Sequence, residues 1–139
     1  MIAITIGTTD WRQAVSLAPG EVEFVGEFLY ESDGLTPAMV WDAGLGNVRA
    51  KTTAEKLDDA KAARIAAINA ECRARLVARF GDALEQDSRA VGAYGAAEQA
   101  ALKPGIETMI DASNTASNAV LAAADIAEVE AVSVSWPAI

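Results

Sequence analysis

At 139 residues the chain is long enough to bury a core, and 52% of it is apolar, which excludes a disordered chain. A net charge of −9 gives no electrostatic reason to bind nucleic acid and weighs against an anionic membrane surface. One cysteine and no histidine exclude a disulfide scaffold, a cysteine-built zinc site and Ser-His-Asp or Cys-His catalysis. The N-terminal third then reads as strands. Ile2, Ile4 and Ile6 alternate with Ala3 and Thr5, and Trp11 follows a polar turn. In "GEVEFVGEFLYESDG", Val22, Phe24, Phe28 and Tyr30 fall on one side of a period-two pattern and Glu21, Glu23, Glu27 and Glu31 on the other. That predicts one half-buried strand with a charged outer face and a bulge or close approach at Gly26. Asp33-Gly34 marks a turn, and "AMVWDAGLGNVRA" predicts a hairpin with strands around Met39–Asp42 and Val48.

At Lys51 the pattern changes. Thr52-x-x-Glu55 is a capping box, and no Pro or Gly interrupts the good helix formers from there to Phe80, before Gly81. Early acids (Glu55, Asp58, Asp59) and late arginines (Arg73, Arg75, Arg79) suit the helix dipole. The helix is roughly 40 Å long at about 1.5 Å per residue. Its apolar stripe, Leu57, Ile65, Ile68, Cys72, Leu76 and Phe80, is narrow and flanked by alanine. Such a stripe suits an oligomer seam of coiled-coil type, a hairpin of helices, or an ordinary core-facing helix. Residues 51–80 carry seven bases and four acids, against two bases and nine acids in 81–139. The basic segment therefore faces acidic parts of this chain or of a partner, unless it is simply solvated.

A second helix over 82–103 has Leu84, Val91, Tyr94 and Leu102 as its apolar side, weakened by Gly92 and Gly95. "KPG" at Lys103–Gly105 predicts a break. A third helix follows from about Ile106 to Ala124, with Ile106, Met109, Ile110, Ser113, Ser117, Val120 and Ala124 in its stripe. Asp125-x-x-Glu128 caps a short helix. The alternation of Val132, Val134 and Trp136 with Ser133 and Ser135 then predicts a closing strand that docks on a sheet edge, within the chain or on a neighbour.

Candidate chemistry is sparse. "GLGN" at Gly44–Asn47 lacks the third glycine and the lysine of phosphate-binding loops and reads as a turn. Asp58 and Asp59 are adjacent and point to different sides of a helix, so they suit the dipole rather than acid–base work. The glutamates of 21–31 match no calcium-loop spacing, and a solvated, edge-protecting face is the plainer reading. "SNTASN" at Ser113–Asn118 is either a hydrogen-bonding seam or a small-residue packing face. Cys72 on the stripe reads as a small buried hydrophobe. No catalytic, cofactor-binding or metal-ligating set is expected. No secretory leader and no membrane-spanning run are expected either.

Three stretches carry a family resemblance. "PAMVWDAGLGNVRA" resembles a short W-D-x-G hairpin near the start of small bacteriophage tail proteins. "KTTAEKLDDAKAARIAAINAECRARL" resembles the alanine-rich helix that follows it there, and "IDASNTASNAVLAAADIAEVEAVSVSWPAI" resembles their C-terminal signature. The likeness covers residues 37–80 and 106–139 and implies a component encoded beside tail-fibre genes. It implies synthesis in a host bacterial cytoplasm and a place in the virion tail, with fibre or baseplate subunits as partners. A fibre-assembly chaperone is the alternative, and a carboxylate enzyme acting on cell-wall sugar a more distant third. The resemblance supplies no catalytic residues.

The expected fold is α+β: a small N-terminal antiparallel β-unit over 1–50, then a helical hairpin or bundle over 51–139 with a closing C-terminal strand. A homo-oligomer is expected through Leu57, Ile65, Ile68, Cys72, Leu76 and Phe80. Docking is expected through Val132, Val134 and Trp136.

Overall fold

A computed structural model describes all residues, Met1–Ile139. The fold is α+β, and the chain divides into two compact units, Met1–Lys56 and Leu57–Ile139.

The first unit holds all the strands. β1 (Ile2–Thr5) lies between β2 (Trp11–Gln13) and β3 (Glu21–Phe24), antiparallel to both, so Ile4 is opposite Trp11 on one side and Val22 on the other. β4 (Met39–Asp42) and β5 (Asn47–Ala50) form the expected hairpin. Its turn is closed by the Asp42 carboxylate, which accepts from Leu45 N–H, and by Gly46 at φ 64°. Asn47 Nδ2 donates to the Glu23 carbonyl at 2.8 Å and ties the hairpin to β3. Ile4, Phe28, Met39 and Val48 make the core, with Ile2, Val22, Phe24 and Trp41 packed around it.

One expectation fails in this unit. The long strand from Val22 to Tyr30 stops at Phe24, because Gly26 at φ 134° turns the chain out of extended geometry. Phe28 is then buried by packing rather than by pairing, and Tyr30 pairs through its backbone with Pro37 in an isolated bridge. β2 had no alternating apolar pattern to announce it, since all three of its residues are exposed.

The second unit is a helical hairpin with additions. α1 (Thr53–Phe80) begins on the expected capping box: Glu55 N–H donates to Thr52 Oγ1 and Thr52 N–H to Glu55 Oε1. Gly81 at φ 83° ends it. A second capping box, Asp82 with Glu85, starts α2 (Ala83–Ala90). The chain turns through residues 91–95, using Gly92 at φ 84° and Gly95 at φ 97°, into α3 (Ala96–Ala122). The expected single helix over 82–103 is thus broken by these glycines. Leu84, Val91 and Tyr94 are exposed rather than a buried side, while Leu102 is buried.

The break expected at Lys103–Gly105 does not occur, and α3 runs straight through Pro104. Proline costs a helix interior about 3 kcal/mol, so something must outweigh it. Gly105 is pressed against Phe80, whose ring would lie 2.6 Å from a Cβ at that position. Buried Leu102 and Met109 hold the helix on either side of the proline. Tertiary packing here overrides local propensity.

α1 and α3 lie antiparallel. Lys61 meets Leu121, Asn69 meets Ser113, Cys72 meets Met109 and Phe80 meets Gly105. Ile68, Ala116, Val120, Ala123 and Val129 form the buried core, Val129 coming from α4 (Ile126–Ala131). Asp125 caps α4 by accepting from Glu128 N–H at 2.8 Å.

The closing strand is a further correction. Residues 132–139 form no strand and pair with no sheet. Val132, Val134 and Trp136 do turn to one side, but they pack on the helical core. Their apolar surface is covered where no neighbouring strand offers a ladder, so the segment lies extended without one.

Candidate functional site

With little to suggest chemistry, the residues of interest are those expected to make contacts. The α1 stripe is covered from within the chain. Ile68 and Phe80 are fully buried, and Cys72 is buried with its Sγ donating to the Met109 carbonyl at 3.6 Å. Leu57 and Ile65 are half-buried against the Ile68 core. Leu76 is half-buried beside a groove between α1 and α3. The stripe builds the hairpin of helices, so these side chains do not present the free face that an intermolecular seam needs. Ser113, within the polar "SNTASN" run, is buried and donates to Asn69 Oδ1 at 3.2 Å, so one hydrogen bond sits among small packing residues.

The C-terminal segment is anchored by side chains. Arg64 Nη2 donates to the Val132 carbonyl at 2.7 Å, and Arg75 lies over the Trp136 ring at 5.2 Å. Arg64 Nε is buried with no partner of its own. Ser133 and Ser135, the alternate residues, line a shallow groove with Ala112, Thr115 and Ala119 of α3.

Arginines of α1 find partners inside the unit. Arg79 makes a paired contact with both carboxylate oxygens of Glu98, at 2.9 and 3.0 Å, and Arg89 of α2 joins it at 2.9 Å. The hydrogen bonds from Arg79 pull the Glu98 carboxyl below its ordinary range, and Glu98 in turn raises Arg79. This three-residue cluster ties α1, α2 and α3 together. Sequence reasoning found the charge asymmetry but not the partners, since Glu98 lies nineteen positions from Arg79.

The β-unit has comparable clusters. Arg12 grips Glu21 through two bonds of 2.7 Å, and Ala18 N–H adds a third, so the Glu21 carboxyl falls to about 2. The expected solvated glutamate face therefore loses Glu21 to an ion pair. Arg49 sits between Asp42 and Glu55, at 2.8 and 2.6 Å. Hydrogen bonding from Arg49 first, and from Thr52 N–H second, lowers Glu55 to about 2. Arg49 is raised, mostly by Glu55, and Asp42 is lowered, mostly by Arg49. Each of these acids is held as the charged form by a structural partner.

Exposed apolar side chains mark the surfaces open to contact. In the β-unit Trp11 and Tyr30 are about two-fifths exposed, at 40% and 39%, joined by a Trp11 Nε1–Tyr30 OH bond of 2.6 Å and backed by Phe28. In the helical unit Val77, Ile110 and Leu121 are exposed along one side of the α1/α3 hairpin. No group of three His, Cys, Asp or Glu residues is placed to hold a metal ion, and no helix is long and apolar enough to cross a membrane.

No family model, curated protein or solved structure matches this chain.

Proposed function

We propose that the protein is a structural component of a bacteriophage tail, at the tip, baseplate or fibre attachment, acting through protein–protein contacts. The observation that carries this reading is the order of three motifs resembling small tail proteins. They fall on the β4–β5 hairpin, most of helix α1, and the C-terminal half of α3 with α4 and the tail. The exposed Trp11–Tyr30 pair and the exposed apolar side chains of the helical hairpin supply contact surfaces for neighbouring subunits. Mass spectrometry of purified virions tests the reading. The protein is expected among the virion components, and consistent absence from them counts decisively against it.

One observation favours the chaperone alternative enough to keep it. The extended segment Val132–Ile139 has no ladder partner, and an unpaired extended backbone can add to an incoming strand. As a chaperone the protein raises the yield of soluble, assembled fibre on co-expression and is lost from the mature virion. An unchanged fibre yield removes that alternative.

A further inference from the structure

Arg73 is the one arginine of the chain that has no partner in it. Arg12 grips Glu21, Arg49 lies between Asp42 and Glu55, and Arg79 and Arg89 share Glu98. Arg75 pairs with Glu71, and Arg64 donates to the Val132 carbonyl. Arg73, with neither ion pair nor hydrogen bond, lies at a groove of about 390 Å³ between α1 and α3.

The groove holds further unused donors and acceptors. Ser113, buried at 4% exposure, donates to Asn69 Oδ1 at 3.2 Å and so orients that amide, whose Nδ2 hydrogens are left without a partner. The Asn114 side chain makes no hydrogen bond. Gln86 of α2 donates from Nε2 to the Gly81 carbonyl at 2.9 Å, which leaves its Oε1 as an acceptor. Leu76, Val77 and Ile110 make the apolar part of the wall. No acid lines the groove, although α2 carries exposed Asp82, Glu85 and Asp87 on either side of Gln86.

We propose that this groove binds a small aliphatic carboxylate that also carries an amide or hydroxyl group. The planar Arg73 fork matches a carboxylate through two parallel N–H···O bonds. One guanidinium balances one negative charge, and the acids of α2 oppose a second, so a carboxylate is favoured over a phosphate. Asn69 and Asn114 offer donors and Gln86 an acceptor, so a ligand amide or hydroxyl is paired in both senses. The apolar wall takes a branched aliphatic group. The volume is near the low end for small-molecule sites, which begin at about 300 Å³. The site does not depend on the tail reading.

The test is an NMR titration of the isotope-labelled full chain with N-acetyl-leucine and with its uncharged counterpart, N-acetyl-leucinamide. N-acetyl-leucine is expected to shift the Arg73 Nε–H and the Asn69 and Asn114 side-chain amides along saturable curves. N-acetyl-leucinamide should bind roughly tenfold or more weakly, since it lacks the charge-assisted pair. Arg73→Gln should cost a similar factor and Arg73→Lys less, and both should keep the wild-type helix signal because Arg73 is exposed. Arg75→Gln, which removes an arginine already paired with Glu71, should bind as the wild type does. Inorganic phosphate should not compete. The absence of saturable shifts up to the solubility of N-acetyl-leucine overturns the proposal. So does binding that Arg73→Gln leaves unchanged, or phosphate that displaces N-acetyl-leucine at equal concentration. None of these results bears on whether the protein is found in virions, so the site and the tail reading fail separately.

Discussion

The β-unit and the helical unit are held by different means. In Met1–Lys56 four buried apolar side chains make the core, and arginine–carboxylate pairs and side-chain turn bonds frame it. In Leu57–Ile139 buried apolar side chains pack between two long helices, with an arginine–glutamate cluster at one end. The difference teaches where each unit is vulnerable: the first to changes in charge and turn geometry, the second to changes in buried volume.

The largest effect separating them is expected at Phe80. Replacing this fully buried ring by alanine should cost about 3–5 kcal/mol, read as a lower thermal midpoint of the helix signal. A loss under about 1 kcal/mol would mean that the seam does not depend on that ring. Next is Gly105→Ala. Alanine favours a helix by about 1 kcal/mol, yet its Cβ would lie 2.6 Å from the Phe80 ring, so the net effect should be a loss of about 1–3 kcal/mol. In a Phe80→Leu background the same substitution should cost less. Strict additivity of the two changes would contradict the close approach.

Thr52→Ala should cost about 1 kcal/mol through the lost cap, with faster amide exchange confined to the first turn of α1. The smallest effect is the response to acid. Glu21 and Glu55 have folded values near 2, below the ordinary 4.5, so the stability they contribute is full above about pH 4.5 and is lost as pH falls toward 2. Both pairs are partly open to solvent, so water and salt weaken the effect. Glu55→Gln should flatten part of this acid limb, followed through carboxyl chemical shifts. An identical limb in the variant would show that the pair adds nothing.

Much of this contrast is legible in the chain. The Thr52–Glu55 box, Gly81, the β4–β5 hairpin and the burial of Cys72 all follow from local signals that tertiary structure left alone. Reading fails where distant residues decide. Lys103-Pro104-Gly105 carries a strong break signal, and packing on residues such as Phe80, twenty-five positions from Gly105, explains a helix there. The alternation of Val132, Val134 and Trp136 correctly sorts the inward from the outward side chains. Alternation does not say whether the covering surface is a sheet or a pair of helices. The α1 stripe is likewise visible as a stripe, but its spacing is the same whether its partner is α3 or another chain. The Arg79–Glu98–Arg89 cluster leaves no local pattern at all.

The central claim is that the stripe closes the chain on itself, and Ile68→Asp tests it most directly. Ile68 faces its own chain's core and is 0% exposed, so a charge there is buried without a partner. Circular dichroism and sedimentation of Ile68→Asp should show the helix signal collapsing at every protein concentration. Helices that stay intact while only the mass falls would contradict the account and return the stripe to a seam between chains.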